Sequence, residues 1–216
     1  MESAHTWNKI WKRFPRFLSD RLLEFLWYFF QFRGYSKVLK GVEMIQPAIL
    51  EIGAGSGLIS RMLIDIYGGK VTLVDYSHEA IRFAQHIFRT NKYEVKFIKQ
   101  NIFDVISTAT YDLVHSQGLL EHFYSKEQHV LFKKHVAFVK PGGYLLLSVP
   151  REKLSYEVII KIIKLTNKGK MPWGYEKGMT EKDLRELFLQ EGLAVIALHR
   201  DFINLVMMGQ KSNSRT

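Results

Sequence analysis

The 216-residue chain contains no cysteine, so disulfide bonds, thiolate metal sites and cysteine nucleophiles are all excluded. It also lacks a long hydrophobic segment. The most apolar run, Leu22–Phe32, is about half of the ~20 residues that a membrane-spanning helix needs, and it contains Glu24 and Gln31. No small-residue cleavage site follows this run, so we do not expect a signal peptide. These absences favour an ordinary globular protein, for which the cytoplasm is the default compartment.

Acidic residues are scarcer than basic ones: 21 Asp and Glu stand against 31 Lys and Arg, which gives a net charge of +10. A positive balance favours acidic partners such as nucleic acid, anionic lipid or a phosphorylated substrate. No single basic run dominates the sequence, so we expect a generally basic surface. The length suits one well-buried α/β domain and is short for two.

The most informative stretch is Ile49–Ser60, which reads ILEIGAGSGLIS. A short apolar run precedes three glycines at alternate positions, Gly53, Gly55 and Gly57, and a helix-like run follows. Glycine lets the backbone turn sharply and come close to a ligand, because it has no Cβ. A buried strand, a tight turn and a helix in this order predict the first half of a nucleotide-binding βαβ unit. A glycine turn with only a structural role is the alternative.

The spacing of the motif restricts the ligand. A dinucleotide fingerprint, G-x-G-x-x-G, needs a third glycine at the position of Leu58, and no Gly-Lys-Ser/Thr follows to make a P-loop. Asp75 lies 22 residues after Gly53, at the end of the predicted strand Lys70–Val74. An acidic residue at roughly this distance binds a ribose in dinucleotide-binding units. Asp75 is also a candidate helix cap, but Ser77 is already placed for that role.

Together with Glu51, two residues ahead of the first glycine, this pattern resembles motif I of the class I S-adenosylmethionine-dependent methyltransferases, in particular the methyltransferase type 11/12-like family. The stretch Ser116–Phe123 (SQGLLEHF) is similar to the loop after the fourth strand in small-molecule members. The resemblance covers about Ala48–Gly209. It implies an α/β, Rossmann-like fold whose seven-stranded sheet is mostly parallel with the last strand antiparallel. It also implies S-adenosylmethionine as the cofactor.

The resemblance further implies where the cofactor lies. Asn101 and Ile102 match the positions that face the adenine, although an aspartate is more usual where Asn101 stands. Phe103 either covers the adenine ring or lies in the core. The cofactor-binding residues that we expect are Glu51, Gly53, Ala54, Gly55, Ser56, Gly57, Asp75, Tyr76, Ser77, Asn101, Ile102, Phe103, Ser116 and Gln117.

Methyl transfer from a sulfonium is an in-line displacement, so the protein mainly has to orient the acceptor. A hydroxyl or protonated amine acceptor also needs a general base. His122 is the candidate, because its ordinary pKa is near neutrality, and Glu121 is a second base or an orienting group. A surface or capping histidine is the alternative for His122. Trp173 and Tyr175, in the loop before the last helix, are expected to contact the substrate. We expect no metal site.

We divide the chain into a helical extension or lid at residues 1–42, a cofactor-binding methyltransferase domain at 43–210 and a disordered tail at 211–216. Trp7, Ile10 and Trp11 recur at helical spacing, and Pro15 separates them from a second helix at about Ser19–Phe32. This second helix is apolar almost all round, so something must cover it. It packs on the sheet, closes a substrate pocket or lies on a membrane surface.

The ends of several elements are also predicted. Ser77 and Thr180 are placed to cap helices, and Gly68 to end one. Ser125, with Gln128 three residues later, matches a capping box that opens a helix. The sequence from Lys140 to Gly143 predicts a turn before a fifth strand.

The leading functional hypothesis is an enzyme that methylates an oxygen or nitrogen of a small, apolar or aromatic molecule. A macromolecular or membrane-borne acceptor (lipid, protein or RNA) is the alternative, because the N-terminal region mixes aromatic and basic residues. Peripheral contact with an anionic surface belongs to that hypothesis. No RNA-binding module and no Asn-Pro-Pro-Tyr-type motif is present, so nucleic acid is not expected. A non-catalytic scaffold is disfavoured by the intact glycine turn and Asp75. The sequence leaves the oligomeric state open.

Overall fold

The computed structural model describes residues 4–13, 29, 31–89, 92–106, 108–166, 169 and 175–213. The strands are β1 Ala48–Ile52, β2 Lys70–Asp75, β3 Glu94–Lys99, β4 Tyr111–Gln117, β5 Val139–Pro150, β6 Leu193–Arg200 and β7 Asn204–Lys211. The helices are α1 Ala4–Arg13, α2 (31–38), α3 Leu58–Tyr67, α4 His78–Ile87, α5 Ser125–Phe138, α6 Leu154–Thr166 and α7 Glu181–Gln190. Single 3₁₀ turns form at Ile102–Asp104 and Leu120–His122. Within these ranges, no helix has both the length and the apolar character to cross a membrane.

One seven-stranded sheet organises the chain, with the strand order β3-β2-β1-β4-β5-β7-β6. Strands β1 to β5 pair in parallel, and β7 is antiparallel to both of its neighbours. This confirms the predicted mostly parallel sheet. The order reverses between β1 and β4, and ligands of open α/β sheets bind at the carboxyl ends of the strands beside such a reversal.

The core forms two layers because successive strand side chains point to opposite faces of the sheet. Ile49 of β1 belongs to the layer that α2 and α3 cover, whereas Leu50 belongs to the layer beneath α5 and α7. Helix α2 is part of the first layer, since Tyr35 is fully buried there. Residues 31–38, which the sequence placed in an extension or lid, therefore form part of the core. Most of the predicted second helix lies outside the described residues.

Several predicted element ends are confirmed. Ser77 accepts a hydrogen bond from the Ala80 N–H and caps α4, Thr180 accepts one from Asp183 and caps α7, and α3 ends at Gly68. The capping box at α5 is wrong by one residue. The carboxylate of Glu127 accepts from the backbone N–H of Tyr124, which is the cap.

Two other boundaries differ from the predictions. Residues Lys140 to Gly143 lie inside β5 rather than before it, as a bulge that shifts the register against β4. Lys211, placed by sequence in a disordered tail, is the last residue of β7. Its ammonium donates hydrogen bonds to the carbonyls of Val136 and Val139, which ties the strand to the end of α5.

Candidate active site

The glycine turn lies at the carboxyl end of β1. Gly53, Gly55 and Gly57 have φ angles of 67°, 52° and 70°, in the left-handed region that glycine adopts without strain. The N–H groups of Gly53 and Ala54 donate to the carbonyl of Val74, which fixes the turn to the end of β2. The alternate glycines of the motif are therefore required by three separate left-handed backbone positions.

Asp75 ends β2 beside this turn. One of its carboxylate oxygens accepts from the N–H of Gly55 at 2.9 Å, and the other accepts from the N–H of Ser77 at 2.8 Å. Burial raises the pKa of Asp75 to about 6, while hydrogen bonds from backbone N–H groups, including that of Tyr76, oppose the rise. Each oxygen retains acceptor capacity for a further donor, which suits the two hydroxyls of a ribose.

Helix α1 lies across the turn. A Cβ built on Gly55 would be 2.5 Å from Cζ2 of Trp11, so the indole contacts the glycine backbone itself. The amide oxygen of Asn8 accepts hydrogen bonds from the Ser77 hydroxyl at 2.7 Å and from the Glu79 N–H at 3.3 Å. An amide oxygen that receives two donors from the first turn of α4 anchors α1 over the carboxyl edge of the sheet.

A buried polar cluster lies beneath the turn. Burial raises the pKa of Glu51 to about 8, against hydrogen bonds from Ser60 that lower it. His115 Nε2 lies 3.0 Å from the hydroxyl of Ser60 and 4.0 Å from Glu51 Oε2. Burial lowers the pKa of His115 to about 3, so the imidazole is neutral at pH 7 and offers no charge to Glu51. Among the described residues, Oε2 of Glu51 has no hydrogen-bond partner.

The 3₁₀ turn after β4 places His122 at the same edge. Its Nδ1 lies 3.1 Å from the carbonyl oxygen of Tyr175, and a carbonyl only accepts, so Nδ1 carries the proton. Nε2 then holds the lone pair that a general base requires. The indole of Trp7 contacts the imidazole edge to face, with ring centroids 5.2 Å apart. His122 thus lies beneath α1 rather than on an open surface.

Glu121 is buried next to His122. Its exposed fraction is 2%, and Oε2 lacks a hydrogen-bond partner within the described part of the chain. Burial and the negative charge of Glu176 raise its pKa well above the ordinary value. The hydroxyl of Tyr156 donates to Glu176. Tyr175 reaches this edge through its carbonyl, while its ring stacks on Tyr124, and Trp173 lies outside the described residues.

The adenine-facing candidates follow β3. The side chain of Asn101 accepts from the N–H of Phe103 at 3.1 Å and caps the short 3₁₀ turn. Ile102 is buried in the core, and Phe103 packs edge to face on Phe123 at its border. The sequence offered two positions for Phe103, over the adenine ring or in the core, and this side chain packs against the core.

The remaining cofactor candidates have different surroundings. The hydroxyl of Ser56 accepts from the Leu58 N–H inside the glycine turn, and Gln117 is the half-buried last residue of β4. The hydroxyl of Ser116 lies 3.0 Å from Nε2 of His135, so this side chain points into the core layer under α5. The backbone carbonyl of Ser116 accepts a hydrogen bond from the hydroxyl of Tyr35.

Sequence reasoning did not assign Asn8 or Glu176 to the site. Asn8 lies between Trp7 and Trp11 in the sequence, and all three side chains contact residues at the sheet edge. Their i, i+1, i+4 spacing on one side of the helix is the sequence feature that could have indicated a role for Asn8. Glu176 had no signal, because its electrostatic effect on Glu121 depends on packing between residues that are far apart in the sequence. The described residues contain no group of three His, Asp or Glu side chains arranged to hold a metal ion.

Comparison with known proteins identifies a methyltransferase domain in part of the chain. Residues 49–143 match the family described as methyltransferase domain. Over 113 residues the chain is 34% identical to the hybrid PKS-NRPS synthetase traA of Penicillium crustosum, an alignment that covers 46% of this chain and only 3% of that much longer protein.

Solved structures share the fold at low identity. Magnesium protoporphyrin IX methyltransferase from Synechocystis PCC 6803 superimposes with a TM-score of 0.70 at 16% identity, covering 96% of this chain and 94% of that one. The 1,6-didemethyltoxoflavin-N1-methyltransferase of Burkholderia thailandensis gives 0.60 at 20% identity, covering 78% and 72%. Both of those structures contain S-adenosylhomocysteine.

The fold, together with the glycine turn whose Gly55 N–H donates to Asp75, is that of a Rossmann-like methyltransferase domain. The chain has the fold of the class I S-adenosylmethionine-dependent methyltransferases, and the matched residues 49–143 include the glycine turn, Asp75 and the loop with His122.

Proposed function

We propose that this protein transfers a methyl group from S-adenosylmethionine to an oxygen or nitrogen of a small, apolar or aromatic acceptor. The observation that carries the proposal is the position of His122 at the sheet edge that also holds the glycine turn. Its Nδ1 donates to the Tyr175 carbonyl, so Nε2 can accept a proton, and Trp7 of α1 covers the ring. The related structures whose names give small acceptors, a magnesium protoporphyrin and a didemethyltoxoflavin, support the small-molecule class.

The residues present suit the cofactor. The three left-handed glycines place no Cβ between the backbone and a ligand, which would take the place of the Trp11 indole at Gly55, and Asp75 keeps acceptor capacity for the ribose hydroxyls. Oε2 of Glu51 is a buried acceptor without a donor, which an ammonium group of the cofactor would supply. Asn101 and Ile102 would border the adenine. When bound, S-adenosylmethionine supplies a methyl group on a positively charged sulfur that needs no further activation.

The chain's own task is then to orient the acceptor and remove its proton. In our proposal Nε2 of His122 receives the proton of the acceptor, while the bond from Nδ1 to the Tyr175 carbonyl holds the ring. A positioned base of this kind contributes roughly 100-fold or more to the rate. Trp7 excludes water from the imidazole, and α1, within the predicted extension or lid, covers this edge of the domain at 43–210.

Isothermal calorimetry with S-adenosylhomocysteine tests the cofactor site. We expect one molecule to bind per chain, and a complete lack of binding would favour the non-catalytic scaffold instead. Co-sedimentation with anionic and neutral vesicles at low and high salt tests the acceptor class. Binding to anionic vesicles that persists at high salt would support a membrane-borne acceptor over a small one.

A further inference from the structure

Helix α1 contacts both halves of the proposed site through two tryptophans. A Cβ on Gly55 would lie 2.5 Å and 2.9 Å from Cζ2 and Cη2 of Trp11, so this indole lies directly on the middle glycine of the turn. Four residues earlier, Trp7 lies on the imidazole of His122, with ring centroids 5.2 Å apart. Residues at i and i+4 share a helix face and are about 6 Å apart along the axis. One face of α1 therefore covers the glycine turn and the proposed general base together.

The Trp11 indole lies where the cofactor would approach the turn. The N–H of Gly55 donates to Oδ2 of Asp75 at 2.9 Å, so the backbone under the indole adjoins the carboxylate proposed for the ribose. A nucleoside whose ribose binds Asp75 would lie against Gly55, and the missing Cβ allows that close approach. An indole and a ligand cannot occupy the same space on one glycine. The described position of α1 and a bound cofactor therefore exclude each other.

Asn8 holds α1 in this position. Its amide oxygen accepts hydrogen bonds from the Ser77 hydroxyl at 2.7 Å and from the Glu79 N–H at 3.3 Å. Lys12 adds an ion pair with Glu79 at 3.9 Å, but its side chain is mostly exposed, so the pair contributes little. Hydrogen bonds from two donors thus converge on one amide oxygen, and a single substitution removes both.

We propose that α1 is an autoinhibitory gate that Asn8 holds shut. The cofactor displaces Trp11 from the glycine turn as it binds. Because a helix moves as one body, the same movement takes Trp7 off His122. The acceptor then reaches the general base only after the cofactor has bound, and until then Trp7 keeps the imidazole covered. The inference rests on the proposed function, since the ligand that opens the gate is its cofactor.

Calorimetry with S-adenosylhomocysteine tests the gate. Asn8→Ala removes the amide oxygen and leaves the glycine turn unchanged, so it weakens the closed state that competes with the ligand. We expect the Kd to fall about threefold or more relative to the wild-type protein. Lys9→Ala, which alters an exposed residue of the same helix, should keep the wild-type Kd. An unchanged or higher Kd in Asn8→Ala would overturn the inference, because α1 would then not compete with the ligand.

Trp11→Ala is the second variant. It lacks the competing ring, so we expect its Kd for S-adenosylhomocysteine to fall as well. This variant decides the question if Asn8→Ala does not fold, which thermal unfolding reports. In that case an unchanged or higher Kd in Trp11→Ala overturns the gate.

The coupling between the two tryptophans has its own measurement. The ring current of Trp7 shifts the NMR resonances of the His122 ring protons, which are assigned by their loss in His122→Ala. We expect S-adenosylhomocysteine to move these resonances toward their positions in Trp7→Leu, because the indole has left the imidazole. In Trp7→Leu itself the ligand should move them much less. Equal movement in the two proteins would show that Trp7 stays in place, and the coupled movement would be refuted.

Binding of S-adenosylhomocysteine also separates this inference from the proposed function. If the wild-type protein and Asn8→Ala bind it with the same Kd, the inference fails and the proposed function stands. If neither protein binds it, the proposed function fails and the inference falls with it, because the gate then has no ligand.

Discussion

Single carboxyl groups decide much of the chemistry at the sheet edge. Asp75, Glu51 and Glu121 are all buried, but their hydrogen bonding differs. Asp75 is satisfied by backbone N–H groups, whereas Glu51 and Glu121 each keep an oxygen without a donor among the described residues. A satisfied acid with spare lone pairs suits hydroxyl groups, and an unsatisfied buried acid suits a cation.

Replacing Asp75 tests its ribose role. In Asp75→Asn the amide can accept only through one oxygen, so one of the bonds from Gly55 and Ser77 is lost together with the charge. We expect the Kd for S-adenosylhomocysteine to rise about tenfold or more, in keeping with ~1.4 kcal/mol or more of lost binding. Calorimetry measures this, with Asp65→Asn on the outer side of α3 as the control. An unchanged Kd would remove Asp75 from the cofactor site.

Replacing His122 tests the general base. In His122→Ala we expect turnover to fall at least tenfold, because no group remains to take the proton of the acceptor. The affinity for S-adenosylhomocysteine should hardly change, since the imidazole faces Trp7 and Tyr175 rather than the glycine turn. Transfer of a labelled methyl group to an acceptor found by screening gives the rate. His129→Ala, an exposed change on α5, is the control, and equal rates in all three proteins would exclude His122.

At the scale of elements, α1 is the part of the site that sequence patterns described least well. Its helical spacing was predicted, and residues 1–42 were expected to form an extension or lid, but the sequence did not indicate which residues its aromatic side chains contact. The structure puts Trp7 on His122 and Trp11 on Gly55, with Asn8 as the anchor between them. Helix α1 lies where it can close the crevice over a ligand.

This position makes Trp11 a reporter of cofactor binding. A ligand that lies against the glycine turn must displace the indole, which contacts Gly55 directly. We expect S-adenosylhomocysteine to change the tryptophan emission of the wild-type protein, and Trp11→Phe to lose most of the change. Fluorescence titration measures both. If Trp11→Phe shows the same change as the wild-type protein, the indole does not move.

The stability of the whole molecule should fall as the pH rises from about 6.5 to about 8. Burial raises the pKa of Glu51 from 4.5 to about 8, so the folded protein holds this proton more tightly than the unfolded chain. The stabilisation is complete below about pH 4.5 and is lost as the pH rises toward 8. His115 and His135, whose pKa values burial lowers to about 3 and about 4, act in the opposite direction only below about pH 6.5. Between pH 6.5 and 8.5 the buried acids therefore dominate.

Glu51→Gln should remove most of this loss, because the amide is neutral at every pH. We expect the variant to be more stable than the wild-type protein at pH 8.5, on the order of 2–4 kcal/mol, and the difference to shrink toward pH 5. Urea unfolding at several pH values measures it, with Glu186→Gln as an exposed control. A constant difference across the range would show that Glu51 is ionised in the folded protein.

Local sequence patterns were enough to predict the sheet, the glycine turn and the position of Asp75 at the end of β2. Left-handed φ angles select glycine at three positions, and parallel strands place their carboxyl ends at one edge, so short motifs predict both the turn and its neighbours. Ser77 and Thr180 were equally predictable, because a cap acts within a few residues of itself.

Only the tertiary structure decided what meets across long separations. It placed Trp7 on His122 and Glu176 beside Glu121, and it buried the Ser116 hydroxyl against His135 rather than toward the cofactor. Such contacts depend on how whole elements pack, which no local pattern encodes. The sequence alone therefore determined the fold and the glycine turn, because both follow from short-range patterns, and the packing of α1 and of the residues around Glu176 determined what surrounds His122.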